Sequence, residues 1–116
     1  FHPEEARKSV RRIRDRAEHV WLTHYGRLDE VDAAAAQLLA HLDFAEALLD
    51  EAAASDLADE ALAAFCAPRV RARFEAEVAA TGLTLDDAGS RVLEMDMALN
   101  AQGIAWAAGR QRAGRL

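Results

Sequence analysis

Between Leu28 and Ala52 an apolar or small residue returns every three or four positions: Leu28, Val31, Ala35, Leu38, Leu42, Ala45, Leu49 and Ala52. That spacing follows one face of an α-helix and no strand, whose faces repeat every second residue. It reads as a heptad-like seam in which larger residues alternate with alanine, so two helices can approach closely. A single rod of about 25 residues would be about 37 Å long. Asp43 with Glu46 three residues on also has the form of a capping box, which would split the rod after His41. The unbroken seam favours one helix. On this reading Leu38→Asp and Leu42→Asp each place an unpaired carboxylate in a buried face and are severely destabilising.

Composition points the same way. Alanine fills 28 of the 116 positions, while Ile occurs twice and Tyr once. Alanine, leucine, arginine and glutamate, which dominate the chain, are strong helix formers. The expected fold is all-α: one domain over residues 1–116, a compact bundle of four to five helices with the Leu/Ala rod as its long second member.

Charge is segregated along the chain. Leu28 to Cys66 holds ten acidic residues and no Lys or Arg, whereas Phe1 to Arg27 holds seven basic and four acidic ones. A basic element beside an acidic one attracts it, within a chain or between chains. The net charge of −6 argues against a general nucleic-acid binder. A single cysteine, Cys66, leaves no partner for an intramolecular disulfide and fits a reducing compartment. Its apolar surroundings, Leu62 to Ala67, suit a small buried hydrophobe better than a nucleophile. No uncharged apolar run approaches the roughly 20 residues that span a bilayer, and no signal-peptide pattern opens the chain. The expected location is cytoplasmic, with no membrane contact.

The remaining elements follow from caps and breakers. Pro3, Glu4 and Glu5 suit a helix start, and a stripe of Ala6, Val10, Ile13, Ala17, Val20 and His24 carries that helix to Gly26. Arg7, Lys8, Arg11, Arg12, Arg14 and Arg16 lie mostly off the stripe and give it a basic flank. Ser55 and Asp56 can cap a short third helix that Pro68 interrupts. A fourth carries Val70, Phe74 and Val78 to Gly82. Thr84 with Asp87 resembles a capping box, stapled by Leu83 and Ala88. The last helix then runs toward Gly109 with Leu85, Ala88, Val92, Met95, Leu99 and Trp106 along one side. The tail from Gly109 to Leu116 is expected to fray.

Two constellations could carry chemistry. Arg14-Asp15-Arg16-Ala17-Glu18-His19 has an Arg-x4-His form that resembles the short motif of HEPN-type ribonucleases, small helical bundles that dimerise. The resemblance covers six residues and implies that Arg14 steadies an RNA phosphate while His19 moves protons. In that family the motif sits on a late helix, whereas here it falls on the first. Asp96 and Asn100, four apart and followed by Gly103, could line a small-ligand pocket or pair with an arginine across a helix interface. Trp21 and Trp106 can serve as core plugs or interface anchors. The histidines show no Glu-x-x-His spacing of the kind that holds metal in helical bundles. No metal ligands and no cofactor are expected.

The sequence favours a small soluble interaction module that self-associates as a homodimer or higher homo-oligomer, possible protein partners included, without catalysis. Its expected interface is the seam Leu28, Val31, Ala35, Leu38, Leu42, Ala45 and Leu49. The alternatives are a HEPN-like ribonuclease using Arg14 and His19, a small-ligand domain using Asp96 and Asn100, and a nucleic-acid accessory protein using the basic first helix.

Overall fold

The structure is a computed structural model that describes residues 2–23 and 25–114. Among the described residues, four α-helices run over Pro3–Arg14 (α1), Val31–Ala54 (α2), Leu62–Thr81 (α3) and Asp87–Arg112 (α4). A hairpin of two short strands, Val20–Leu22 (β1) and Gly26–Leu28 (β2), separates α1 from α2, and one 3-10 turn at Asp59–Ala61 precedes α3. The chain is therefore predominantly helical. Two compact units, residues 1–47 and 48–116, divide within α2.

In the first unit, α1 opens on Pro3 with Glu4 and Glu5 in its first turn and closes with Arg11, Arg12 and Arg14 in its last, matching the helix dipole at both ends. It stops at Arg14, twelve residues short of the stop expected at Gly26. The carbonyl of Ile13 accepts from both Arg16 and Ala17 as the chain leaves the helix. Val20, Trp21 and Leu22 then form β1, paired antiparallel with β2 so that Val20 faces Leu28 and Trp21 faces Arg27. β-Branched and aromatic residues favour a pleated strand. Gly26, at φ +86°, takes the left-handed backbone that the turn requires and that a continuing helix would not allow. His24, which the helical stripe included, lies outside the described residues.

Arg7 belongs to the unit's interior rather than to an exposed basic flank. It is 8 % exposed, and its Nη2 donates to Asp43 Oδ1 at 2.7 Å and to Glu46 Oε2 at 2.6 Å. The hydrogen bonds it donates to Asp43 first, then to Glu46, hold the guanidinium still further above its already high range. The same two carboxylates make the capping-box form that would split α2. Here they are acceptors for Arg7, and α2 continues unbroken through them. The attraction between basic and acidic segments is thus realised within the first unit.

In the second unit α3 and α4 pack along each other, and the 3-10 turn touches both. Leu62, Cys66 and Val70 recur every four residues and are almost wholly buried. They straddle Pro68, so α3 runs through the proline instead of splitting there as expected. Pro68 withholds one backbone N–H. Close by, Arg69 Nη1 donates to the Phe65 carbonyl at 3.0 Å, while its guanidinium stacks 3.9 Å above the Phe65 ring and reaches Glu51 at 3.0 Å. Gly82 ends α3 in the left-handed conformation, φ +69°. The cap of α4 is Asp86, not Thr84: its carboxylate accepts from Gly89 N at 2.7 Å.

The C-terminal turn of α4 does not fray at Gly109. Arg112 reaches the end of α2, where Nε donates to Ala53 O at 3.0 Å and Nη2 to Ala52 O at 2.7 Å and Ser55 O at 2.5 Å. Its Nη1 adds Leu57 O at 2.6 Å and Asp59 Oδ1 at 3.2 Å. Carbonyls at a helix end lack partners within the helix, and one guanidinium supplies them here.

Cys66 is buried, as its apolar neighbours suggested. Burial pushes its thiol above the ordinary value of about 8.5. The unfolded chain therefore gives up this proton at lower pH than the folded one. The stabilisation is complete below the ordinary thiol range and is lost as pH rises from that range through the raised value of the folded chain. We expect native protein to react with a thiol-specific disulfide reagent at least about 100-fold more slowly than denatured protein. Equal rates would show that Cys66 is accessible.

Candidate functional site

The face of α4 that packs inside the second unit is built from small residues. Met97, Ala101, Ala105, Ala107 and Ala108 are buried. Alanine brings helix backbones close together, and it leaves no room for larger side chains on that side. Those project to the opposite side instead: Val92 is 50 % exposed, Met95 58 %, Leu99 58 % and Trp106 62 %. The stripe expected along one side of the last helix thus exists, but solvent covers it in the single chain. The positions 92, 95, 99 and 106 keep heptad spacing, with Gln102 at the intervening place. Single exposed apolar residues are ordinary; here four share one side of α4, interrupted by Gln102.

Charge is polarised along the same helix. From Asp86 to Asp96 there are four acidic residues and one basic, and from Met97 to Arg112 two basic and none acidic. The Arg110 guanidinium lies 5.1 Å from the Trp106 ring centroid, a cation–π distance that steadies the indole at the surface.

The first unit holds a separate apolar pocket of about 140 Å³. Val10 and Ile13 of α1, Val20 and Leu22 of β1, Leu28 of β2 and Leu38 of α2 are among its walls. Arg14 is the one charged residue lining it. A space of this size accepts about one aromatic ring, and its walls offer desolvation without directed polar chemistry.

The expected α2 seam divides. Val31, Ala35, Leu49 and Ala52 are buried within the chain, so their surface is already covered without a second copy. Leu28, Leu42 and Ala45 are half-buried, and Leu38 is 49 % exposed. Leu38→Asp thus loses the buried setting on which severe destabilisation was expected.

Asp96 and Asn100 stand side by side on α4, but Asn100 Nδ2 donates to the Asp96 backbone carbonyl at 2.8 Å, not to its carboxylate. Asn100 is exposed, Asp96 is half-buried, and neither lines the pocket described above. They border the exposed stripe. Arg14 and His19 fall on different elements, since α1 ends at Arg14 and His19 lies in the following loop. Arg14 is engaged by Asp15, Nη2 to Oδ1 at 2.9 Å, and both Arg14 and His19 are exposed. Along the basic first helix, Lys8 pairs with Glu5 at 2.7 Å and Arg7 with Asp43 and Glu46.

Trp21, 73 % exposed, and Trp106 are therefore surface side chains, not core plugs. Sequence reasoning missed the alanine face. Its signal was present in Met97, Ala101, Ala105 and Ala108, a second helical stripe opposite the bulky one. Among the described residues no three His, Cys, Asp or Glu side chains group as metal ligands would. No described helix is long and apolar enough to cross a membrane. Compared with family models, with curated proteins and with solved structures, the chain matches none of them.

Proposed function

We propose that this protein is a helical interaction module that acts by self-association, without catalysis of its own. One observation carries the reading: Val92, Met95, Leu99 and Trp106 form an exposed row at heptad spacing on a well-packed helix. Tryptophan and methionine are characteristic of interface cores, where burial of large side chains supplies most of the binding energy. The buried alanine face fixes α4 against α3, so the row is presented rigidly and little conformational entropy is lost on docking. Its occupant is a second copy of the chain. We place the interface on the outer face of α4 in preference to the α2 seam, of which Val31, Ala35 and Leu49 are already buried within the chain.

The test is the mass in solution at micromolar concentration, by light scattering behind size exclusion. Self-association predicts about twice the chain mass of 12.7 kDa. A mass of 12.7 kDa over the whole accessible concentration range overturns the proposal.

A further inference from the structure

We propose that the pocket of the first unit binds a small organic carboxylate whose apolar body is about the size of one aromatic ring. The site lies apart from α4 and does not depend on self-association. Large apolar side chains gain by leaving water, so their exposure around a hollow is unfavourable until something fills it. Ile13 of α1 is 50 % exposed, Leu22 of β1 45 % and Leu38 of α2 49 %, and all three line the same pocket. They come from three different elements, so a small body inserted there touches several walls at once. Val10 and Val20, both half-buried, continue those walls. The volume of about 140 Å³ is close to that of engineered cavities that take up benzene.

Charge decides the class of ligand. Arg14 lines the pocket and no acidic residue does. Apolar walls alone hold a neutral ring without directing it. A guanidinium among them fixes one end of the ligand when that end is anionic, and its planar fork matches the two oxygens of a carboxylate. Arg14 already donates from Nε and Nη2 to Asp15 Oδ1 at 3.0 and 2.9 Å. That pair joins chain neighbours at the surface, with side chains 38 % and 60 % exposed, and such pairs contribute little. It occupies one edge of the fork, and Nη1 donates to no acceptor among the described residues. One arginine can serve two carboxylates together, as Arg7 does with Asp43 and Glu46. The ligand carboxylate takes the second place at Arg14, and its ring lies among Ile13, Leu22 and Leu38.

Titration of isotope-labelled protein with phenylacetate and, separately, with phenylacetamide tests this through the backbone amide shifts. Phenylacetate should bind with a Kd below about 1 mM and move the amides of Ile13, Leu22 and Leu38. Phenylacetamide, equal in shape but uncharged, should bind at least about 10-fold more weakly. Arg14 is exposed, so Arg14→Gln should keep the wild-type melting temperature while lowering the affinity for the acid to that of the amide. Ala34, half-buried on the pocket wall, gives a second variant: Ala34→Phe fills the space and should abolish binding of both compounds. No binding of phenylacetate at about 10 mM, shifts centred on other residues, or equal affinities of the wild type for acid and amide would each overturn the proposal. If Ala34→Phe lowers the melting temperature, the acid and amide affinities of wild type and Arg14→Gln decide alone.

Discussion

Arg112→Ala is expected to lower the melting temperature by about 10 °C, equivalent to about 3 kcal/mol. One side chain here serves six acceptors: the carbonyls of Ala52, Ala53, Ser55 and Leu57, the Ser55 hydroxyl and the Asp59 carboxylate. Removing it takes a donor from the Ala53, Ser55 and Leu57 carbonyls, while Ala52 O keeps Ser55 Oγ at 2.8 Å, in a place that water reaches only in part, since the Arg112 side chain is 23 % exposed. Leaving buried carbonyls unsatisfied costs more than forming their bonds gains, because water no longer replaces the lost partner. Lysine should restore little, as a single ammonium cannot span acceptors that a planar fork bridges. Thermal unfolding followed by circular dichroism measures the effect. A shift below about 2 °C would show that this latch contributes nothing.

The second large effect separates two leucines of the α2 seam. Leu49 is 5 % exposed and Leu38 is 49 % exposed. Leu49→Asp desolvates an unpaired carboxylate and should cost about 4 kcal/mol or more. Leu38→Asp keeps its charge in contact with water and should cost about 1 kcal/mol, part of it helix propensity. Chemical denaturation of both variants decides the matter. Equal losses would mean that the heptad reading of α2 describes its buried face better than the structure does.

The difference between these leucines shows where sequence reasoning reached its limit. That α2 forms one helix was legible, because the apolar period is unmistakable over 24 residues. Which face it buries was less so. Val31 and Ala52 share the heptad place of Leu38 and both are buried, so the period alone does not say which of its members the fold covers. By the end of α2 the buried set has come to include Leu48 beside Leu49, while Leu38 in the middle has turned outward. The hairpin escaped for a different reason. Strands of three residues offer too few positions to show an alternating pattern, and Val20 and Ala17 also fit the helical stripe. Pro68 looked like a boundary, yet Leu62, Cys66 and Val70 gain enough by burial to carry one helix across it.

On α4 the error concerned size. Large side chains were grouped as a stripe, but close packing selected the alanines for the interior. Arg112 falls in what the sequence presents as a loose tail, since nothing local announces that it binds the last carbonyls of a helix, Ala53 and Ala52, 59 and 60 residues away. The charge segregation was the most faithful long-range signal. It anticipated the attraction that Arg7 realises with Asp43 and Glu46 at 2.6 to 2.7 Å.

The most direct test of the account is sedimentation equilibrium of wild type beside Leu99→Asp at one concentration, with melting temperatures recorded for both. Leu99 is 58 % exposed in the single chain, so the substitution should leave its fold intact. Placed in the proposed interface on α4, the new carboxylate would be buried and should weaken association at least about 100-fold. The account predicts a wild-type mass near twice 12.7 kDa and a variant at 12.7 kDa, with melting of the dissociated chain unaltered by the substitution itself. A wild-type protein that stays at 12.7 kDa, or a variant that remains as associated as wild type, would contradict it.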